Sequence, residues 1–505
     1  VITKRTFDGI ELDAQYGISE LGDAPEYRLG GIAGMNFGGG RGNVTIAAEY
    51  NKASGLSGYD RPGEGLGRFF TTCAGDEPFD NCLIEDRRIP ALSEFGIPFS
   101  PGFVADIGLD IALSPGQVTG LDFFSSSGIG DLDGNGIPGT LSDVSILFGG
   151  SGGGGAQSTI TDANGNPLAF DAQGNLVPIN FGEATGNLIN FNGGNGFALP
   201  ENLLTETRRY LGTVLAQYEL SDTIRVFGEG WYANSRGYQL RDQPVYNTGL
   251  FGSPGSPDGN IILSIDNPFL SPAARQTIVE SCARNVFCED ADTFYLGRAN
   301  TDIIPSDGYS TVELYRLVGG IDGTFEALGR ELTFEAVLNY GKSVTQGRER
   351  VLVQQNFENA VNAVLDAGGN IICAPGHVNA PIATISNTCA PLNPFGQQIS
   401  QEAIDYVTTF ADPRAENDQW VGTASVSGSL FDIWGGPVGF ALGYEHREES
   451  AEFDPGEFYF GQPDADDPDA PREQFGRSIP IDPVSGEFHT NEVFGELTVP
   501  LIGPD

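Results

Sequence analysis

One hexapeptide in the first third of the chain has the spacing of a cation site. Asp131-Leu132-Asp133-Gly134-Asn135-Gly136 fits the first six positions of a calcium loop, where side-chain oxygens at alternate positions ligate a hard cation and the glycine makes the sharp turn. The twelfth position is Ser142 where a bidentate Glu belongs, Asp143 comes one residue late, and Pro138 interrupts the loop. Two readings stand: a glycine-rich β-turn, which turn propensity favours, and a loop calcium site held by Asp131, Asp133 and Asn135. Gly149-Gly150-Ser151-Gly152-Gly153 matches a nucleophile elbow by letter. No strand-turn-helix pattern surrounds it, and the three histidines, His377, His446 and His489, offer no identifiable triad, so the chain is not expected to be an enzyme. Gly341-Lys342-Ser343 resembles the end of a phosphate loop, but Ala336 stands where the first glycine is needed and the segment alternates like a strand.

The cysteines fall as three local pairs, Cys73/Cys82, Cys282/Cys288 and Cys373/Cys389. Loop closure favours pairing of neighbours, and no pair has the short spacing of a zinc site, so structural disulfides in an oxidising compartment are expected. The acidic run Asp464, Asp466, Asp467, Asp469 is interleaved with prolines and reads as a solvated loop face, with attraction of divalent ions as the sharper alternative. Residues 162–168 and 171–177 are near repeats, Asp-Ala-Asn-Gly-Asn and Asp-Ala-Gln-Gly-Asn each leading into apolar residues, which predicts a β-hairpin. Val361, Val364 and Leu365 have helical spacing within 356–367, and 401–409 reads likewise as a short helix.

These residues need a framework, and composition restricts its kind. The 505 residues include 71 glycines and one methionine, which argues against a helical bundle. A net charge of −42 repels phosphate backbones and excludes nucleic acid as a partner, while 39% hydrophobic residues is too apolar for a disordered acidic chain. No apolar run is long enough for a transmembrane helix. The chain opens Val1-Ile2-Thr3-Lys4-Arg5 without a signal-peptide pattern, so it reads as mature, cytosolic or an internal piece.

Alternation with a two-residue period supplies the framework. Ile10, Leu12, Ala14 and Tyr16 alternate with Glu11, Asp13 and Gln15; Tyr27 to Phe37 and Val44 to Tyr50 follow, joined by Gly38–Gly42. The period resumes at Tyr210 to Tyr218, turns at Ser221-Asp222 into 223–238, and recurs over 315–325, 332–340, 420–430, 438–444 and 493–499. In 223–238, Ile224 and Val226 fall on one face and Phe227 and Trp231 on the other, which predicts a bulge. Ten strands result. Long connections, 53–205, 241–308, 351–417 and 452–486, alternate with tight turns, the pattern of an antiparallel transmembrane β-barrel with its loops on the extracellular side. A soluble β-sandwich is the alternative. Glu11, Asp13, Arg28, Asp322, Glu335 and Glu496 are expected to face inward, and Tyr16, Leu29, Val214, Leu338 and Phe440 to face lipid.

At this point the chain resembles a TonB-dependent outer-membrane receptor. The opening Val1 to Gly9, Asp266-Asn267-Pro268-Phe269-Leu270, Cys389-Ala390-Pro391-Leu392-Asn393-Pro394-Phe395-Gly396 with Ser400, Ala403 and Tyr406, and Val493-Phe494-Gly495-Glu496-Leu497-Thr498-Val499-Pro500-Leu501 are similar to segments of that family in order. The resemblance spans nearly the whole chain and is weakest between 53 and 205. It implies that residues 1–505 are about ten strands of a 22-stranded barrel, lacking the plug domain and the later strands. An open ten-stranded sheet would also leave two edges unpaired in hydrocarbon. The implied protein sits in the cell outer membrane of a Gram-negative bacterium, among outer-membrane lipid. It works with the TonB complex through the plug and takes up a scarce bulky nutrient, such as a glycan or an iron chelate, in an energised way. A passive porin-like barrel or a surface adhesin is the alternative function. Apart from the loop calcium left open above, no cofactor is expected. Loop aromatics are the expected ligand contacts: Phe69, Phe70, Phe123, Phe124, Tyr246 and Phe357. The strong negative charge favours a neutral ligand, unless Arg87, Arg88 and Arg241 reverse it locally.

Overall fold

The computed structural model describes residues 6–57, 61, 70–71, 83–84, 86–88, 92–99, 160–180, 182–184, 191–198, 202–238, 246–247, 261–284, 288, 291–304, 308–327, 329–463, 467, 472–476 and 479–502. Ten long strands form one antiparallel sheet in which every strand bonds to its sequence neighbour. They are β1 Gly9–Gly17, β2 Glu26–Phe37, β3 Gly42–Ala53, β4 Glu206–Ser221, β5 Ile224–Tyr238, β6 Tyr309–Ala327, β7 Arg330–Leu352, β8 Arg414–Ile433, β9 Gly436–Asp454 and β10 Val484–Thr498. All ten alternating segments read from the sequence are strands. Among the described residues β1 bonds only to β2 and β10 only to β9, so the sheet has two open edges.

The register makes the two faces separable. Ile10, Ala33, Ile46, Val214, Gly230, Leu317 and Tyr340 are consecutive cross-strand partners. Because partners in an antiparallel pair point to the same side, this row lies on one face, the outer one below. Tyr16, Leu29, Val214, Leu338 and Phe440 lie on the outer face, while Glu11, Asp13, Arg28, Asp322, Glu335 and Glu496 lie on the opposite one. The predicted bulge in the fifth strand is absent: Ile224–Tyr238 pairs without interruption with β6, and the irregularity falls at the Glu219–Ser221 turn. Phe227 and Trp231 are therefore inner-face residues in a regular strand, and the two apolar sets on β5 belong to two different faces.

The outer face carries an apolar band between two rows of rings. On the long-loop side, Tyr16 meets Tyr27 at 5.2 Å, Tyr50 meets Tyr210 at 5.1 Å, Tyr232 meets Tyr315 at 5.2 Å and Tyr340 meets Trp420 at 4.6 Å. On the short-turn side, Phe37 stacks on Tyr218 and Phe325 meets Phe334 edge-on. Tyr27 and Phe37 lie ten residues apart on β2, about 33 Å along the strand, or roughly 25 Å after a tilt near 40°. Between the rows, Ile46, Leu317 and Leu338 are more than half exposed, an apolar area far larger than a soluble protein leaves open.

The inner face is polar and cross-linked. Arg28 joins Asp13 at 2.9 Å and Glu49 at 2.7 Å, Arg225 pairs with Asp322, Arg316 donates to Asn339 at 2.7 Å, and Arg447 joins Glu445 at 2.9 Å. Gly30 is required beside the first of these, since a Cβ there would collide with the Asp13 carboxylate. Gly443 does the same for a ring: Phe494 lies flat over it, where a Cβ would overlap the aromatic atoms. Gly341-Lys342-Ser343 lies within β7, with Lys342 bound to Glu416 at 2.7 Å rather than in a phosphate loop.

Candidate functional site

The long connections all leave the same end of the sheet and fold together. Ile97–Phe99 from the first connection pairs with Thr293–Ala299 from the second, which pairs on its other edge with Ile261–Ser264. The side chains beneath form one core: Ile160, Leu168 and Phe170 from 53–205, Leu263, Ile278, Phe294 and Leu296 from 241–308, and Phe357, Leu392, Phe395 and Tyr406 from 351–417. Phe395 lies 4.8 Å from Phe170 and 6.1 Å from Phe294, so one ring touches all three connections. A second cluster, Val353, Ala380, Ile382, Ala411, Phe458 and Phe475, brings in 452–486. The loops are thus a layer with its own hydrophobic core.

Local sequence explains how they turn. Asp162-Ala163-Asn164-Gly165-Asn166 and Asp171-Ala172-Gln173-Gly174-Asn175 each close on their aspartate, whose Oδ1 accepts from the amides two and four residues on. The second makes the predicted hairpin between Leu168–Phe170 and Leu176–Pro178. A third copy, Asp366-Ala367-Gly368-Gly369-Asn370, has the same bonds between Ala363–Leu365 and Ile371–Cys373. The helix α2, Gln354–Val361, therefore ends before Val364 and Leu365, which form a strand instead: the Asp-x-x-Gly-Asn turn outweighs the helical spacing. The two Asn-Pro-Phe segments are also equivalent turns, with Asn267 Oδ1 accepting from Phe269 N and Asn393 Oδ1 from Phe395 N, both at 3.0 Å. The first leads into α1, Pro272–Arg284, which the sequence reading did not identify although Ser271 and Pro272 are start signals. The second leads into α3, Gln401–Val407, the short helix read for 401–409; Ser400 caps it, and it stops where Thr408–Ala411 becomes a strand.

Arg298 locks the layer. It has no exposed side-chain surface, and it donates to Pro394 O at 3.1 Å, Gly396 O at 3.2 Å, Asn300 Oδ1 at 2.9 Å and Asp302 Oδ2 at 2.7 Å. Cys282–Cys288 and Cys373–Cys389 are bonded, both within the loop layer; Cys73 and Cys82 lie outside the described residues. Arg61 ties the first connection to the short β1–β2 link through Asp23, at 2.7 Å, and this bond pulls the Asp23 carboxyl down to about 2.

A cavity of about 490 Å³ opens beside the core, lined by Arg88, Glu94, Phe95, Phe170, Val177 and Phe197 among others. Arg88 is bound through Nε and Nη2 to Asp86 and through Nη1 to Gly196 O, so its charge is matched locally. The cavity wall is mainly apolar and also carries Ser93, Glu94, Asp171 and Asn195, a combination suited to the faces and hydroxyls of an organic ligand.

Two groups of carboxyls in the layer respond to pH in opposite directions. Side-chain and backbone hydrogen bonds from Asn166 and Asn370 hold Asp162 and Asp366 below the ordinary value, and the Asn175 amide does so for Asp171. Their contribution to the turns is present above the ordinary carboxyl value and is lost as pH falls through the lowered one. Glu358 is pushed up by burial, opposed by a hydrogen bond from Gln354. Its contribution is greatest below the ordinary value and declines as pH rises through the raised one. Glu358→Gln is accordingly expected to stabilise the loop layer at neutral pH and to remove that decline, measured as thermal unfolding across a pH series.

Of the residues read as ligand contacts, Phe357 has no exposed surface and belongs to the core, so it supports the layer rather than facing a ligand. The helical spacing read over 356–367 put Phe357 at the start of that segment rather than at the centre of α2, and the partners that cover it come from distant loops. Phe70 lies in the strand Phe70–Thr71 and Tyr246 in Tyr246–Asn247. Phe69, Phe123, Phe124, Asp131, Asp133, Asn135 and Arg241 lie outside the described residues, as do Gly149 to Gly153, Asp464, Asp466 and Asp469. Phe95, Phe197 and Glu94 at the cavity were not singled out in the sequence, where no period marks them.

No family model matches the chain, and no curated protein sequence matches it. Among solved structures it is similar to the siderophore receptor PiuA from Acinetobacter baumannii, at 11% identity and a TM-score of 0.29, over 97% of this chain and 43% of that one. It is also similar to the ferric-catecholate import receptor Fiu from E. coli K12 in its open form, at 8% identity and a TM-score of 0.31, over 97% of this chain and 46% of that one. The closed form of Fiu gives 8% identity, a TM-score of 0.30, and 97% and 42% coverage. The chain spans less than half the length of these structures.

Proposed function

We propose that this chain forms part of the wall and the outer loop layer of a TonB-dependent receptor in the outer membrane, which captures a bulky nutrient and imports it. The observation that carries this reading is the outer face, an apolar band of bilayer height between two aromatic rows, on a sheet whose long connections all fold at one end. The polar, ion-paired inner face fits a lumen, and the two open sheet edges fit pairing with further strands of a larger barrel. The loop layer is the capture surface, and its cavity, lined by residues between 88 and 198, supplies aromatic and hydroxyl-binding groups. With a net charge of −42 and Arg88 already neutralised, a neutral ligand such as a glycan is admitted more readily than an anion.

The membrane reading has a direct check. Leu338→Arg, at an outer-face position 54% exposed, is expected to cost about 2–4 kcal/mol in a bilayer, whereas Glu335→Arg on the opposite face is expected to cost much less. Equal costs in lipid-refolding titrations would remove the assignment of faces.

Uptake is tested in cells making the full-length protein, with a labelled neutral oligosaccharide and a labelled ferric catecholate supplied separately. Accumulation of the oligosaccharide that stops on dissipating the proton gradient or deleting TonB is expected. Flux indifferent to both treatments indicates a passive pore and sinks energised uptake. Gradient-dependent accumulation of the ferric catecholate alone keeps the transport class and overturns the neutral ligand.

A further inference from the structure

Although the chain has 68 acidic residues against 26 basic ones, three cations stand side by side on its outer wall. Lys52 on β3, Arg208 on β4 and Arg236 on β5 are consecutive cross-strand partners. Neighbours in such a row stand roughly 5 Å apart at Cβ, and like charges in that arrangement repel. Among the described residues one carboxylate serves the row: Glu206 lies 2.8 Å from Arg208 and 3.9 Å from Lys52. Arg236 donates to Thr311 Oγ1 at 3.0 Å, a neutral partner. Ring faces hold the guanidiniums in place, Arg208 over Tyr238 at 4.7 Å and Arg236 over Tyr309 at 4.3 Å. The row is therefore ordered in advance and retains excess positive charge.

Its position decides what that charge can meet. Lys52 and Arg208 lie two residues beyond Tyr50 and Tyr210 on the loop side, at the upper border of the apolar band. Below those rings Ala48 and Gly212 are partners on adjacent strands, and a Cβ at Gly212 would meet nothing within 4 Å, so the wall is shallow there, while the Leu12 side chain covers Gly31 beside them. A ligand lying on this surface needs an anionic head at the height of the cations and an apolar body beneath it.

We propose that Lys52, Arg208 and Arg236 dock the phosphate-bearing headgroup of an outer-leaflet lipid, whose chains lie along Ala48 and Gly212. Phosphate oxygens accept from the guanidinium forks and relieve the repulsion within the row. The inference rests on the membrane-spanning reading of the sheet and is independent of uptake.

The test uses the intact protein in uncharged maltoside micelles. Insertion into vesicles, scored by protease protection, is measured separately, so failure to span and failure to bind are read apart. Native mass spectrometry follows titration with diphosphorylated lipid A, with the same lipid stripped of phosphate, and with inorganic phosphate. Only the phosphorylated lipid is expected to bind. Its affinity should fall about a hundredfold in the Lys52→Gln, Arg208→Gln, Arg236→Gln triple variant, since each cation at a charged lipid surface contributes several-fold. If the triple variant fails to assemble, Lys52→Gln and Arg236→Gln are each read alone for a several-fold loss. Unchanged affinity in the variants, equal binding of the stripped lipid, or saturation by inorganic phosphate alone would each overturn the proposal.

Discussion

Arg298→Ala is expected to open the loop layer while leaving the ten-stranded sheet assembled. The guanidinium has no exposed surface and satisfies two carbonyls from the third long connection together with Asn300 and Asp302 of its own. Removing it strands those acceptors away from water and leaves the Asp302 carboxylate uncompensated, which in buried ion pairs costs about 3–5 kcal/mol. The layer has little to offset this, because its core is assembled from three connections rather than one continuous segment. Amide exchange should accelerate by two or more orders of magnitude over 261–304 and 352–411 and stay unchanged in β1 to β10. Arg298→Lys should recover little, since an ammonium cannot reach the Pro394 and Gly396 carbonyls in the same fork. Exchange that accelerates equally in the wall, or nowhere, would show that Arg298 does not hold the layer.

Deleting residues 56–200 is the second large effect. Removal of the longest connection is expected to abolish uptake with the wall intact. It also takes Ile97, Ile160, Leu168 and Phe170 out of the packed layer, each at most 3% exposed. At about 2–3 kcal/mol per buried apolar side chain, an upper bound, the second and third connections lose much of what packs them. Loss of uptake after this deletion therefore reports on the whole layer and not on 53–205 alone. Replacing only the cavity wall, with Phe95→Ala and Val177→Ser, separates the two. Reduced ligand affinity with unaltered protease resistance of 261–304 places recognition at the cavity. Unaltered affinity moves it to another part of the layer.

The wall was legible because it obeys a local rule. A strand with one face apolar and the other polar must alternate, so Ile10, Leu12, Ala14 and Tyr16 against Glu11, Asp13 and Gln15 determine both an element and its orientation. Tight turns then leave antiparallel pairing of neighbours as the short connection, and all ten strands with their faces follow. In β5 the same rule misled: Phe227 and Trp231 are apolar on a largely polar inner face, where Gly320 leaves room for the Phe227 ring and Glu229 accepts from Trp231 Nε1 at 3.1 Å, so no bulge is needed.

The loop layer could not be read in this way. The Asp-Ala-x-Gly-Asn turns and the Ser-capped helices are written in short segments, since an Asx bond closes within five residues. What joins them is not. Phe357 and Phe395 carry no mark in the sequence that distinguishes a ring buried among three connections from one offered to a ligand. Arg298 resembles any surface arginine until the Asn393-Pro394-Phe395-Gly396 turn, nearly a hundred residues away, presents its carbonyls. The sequence by itself determined the period, the turns and therefore the wall, because those depend on neighbours along the chain. Burial in the layer, the matched charge of Arg88 and the cation row of Lys52, Arg208 and Arg236 depend on residues brought together across strands and loops, and only the tertiary structure decided them.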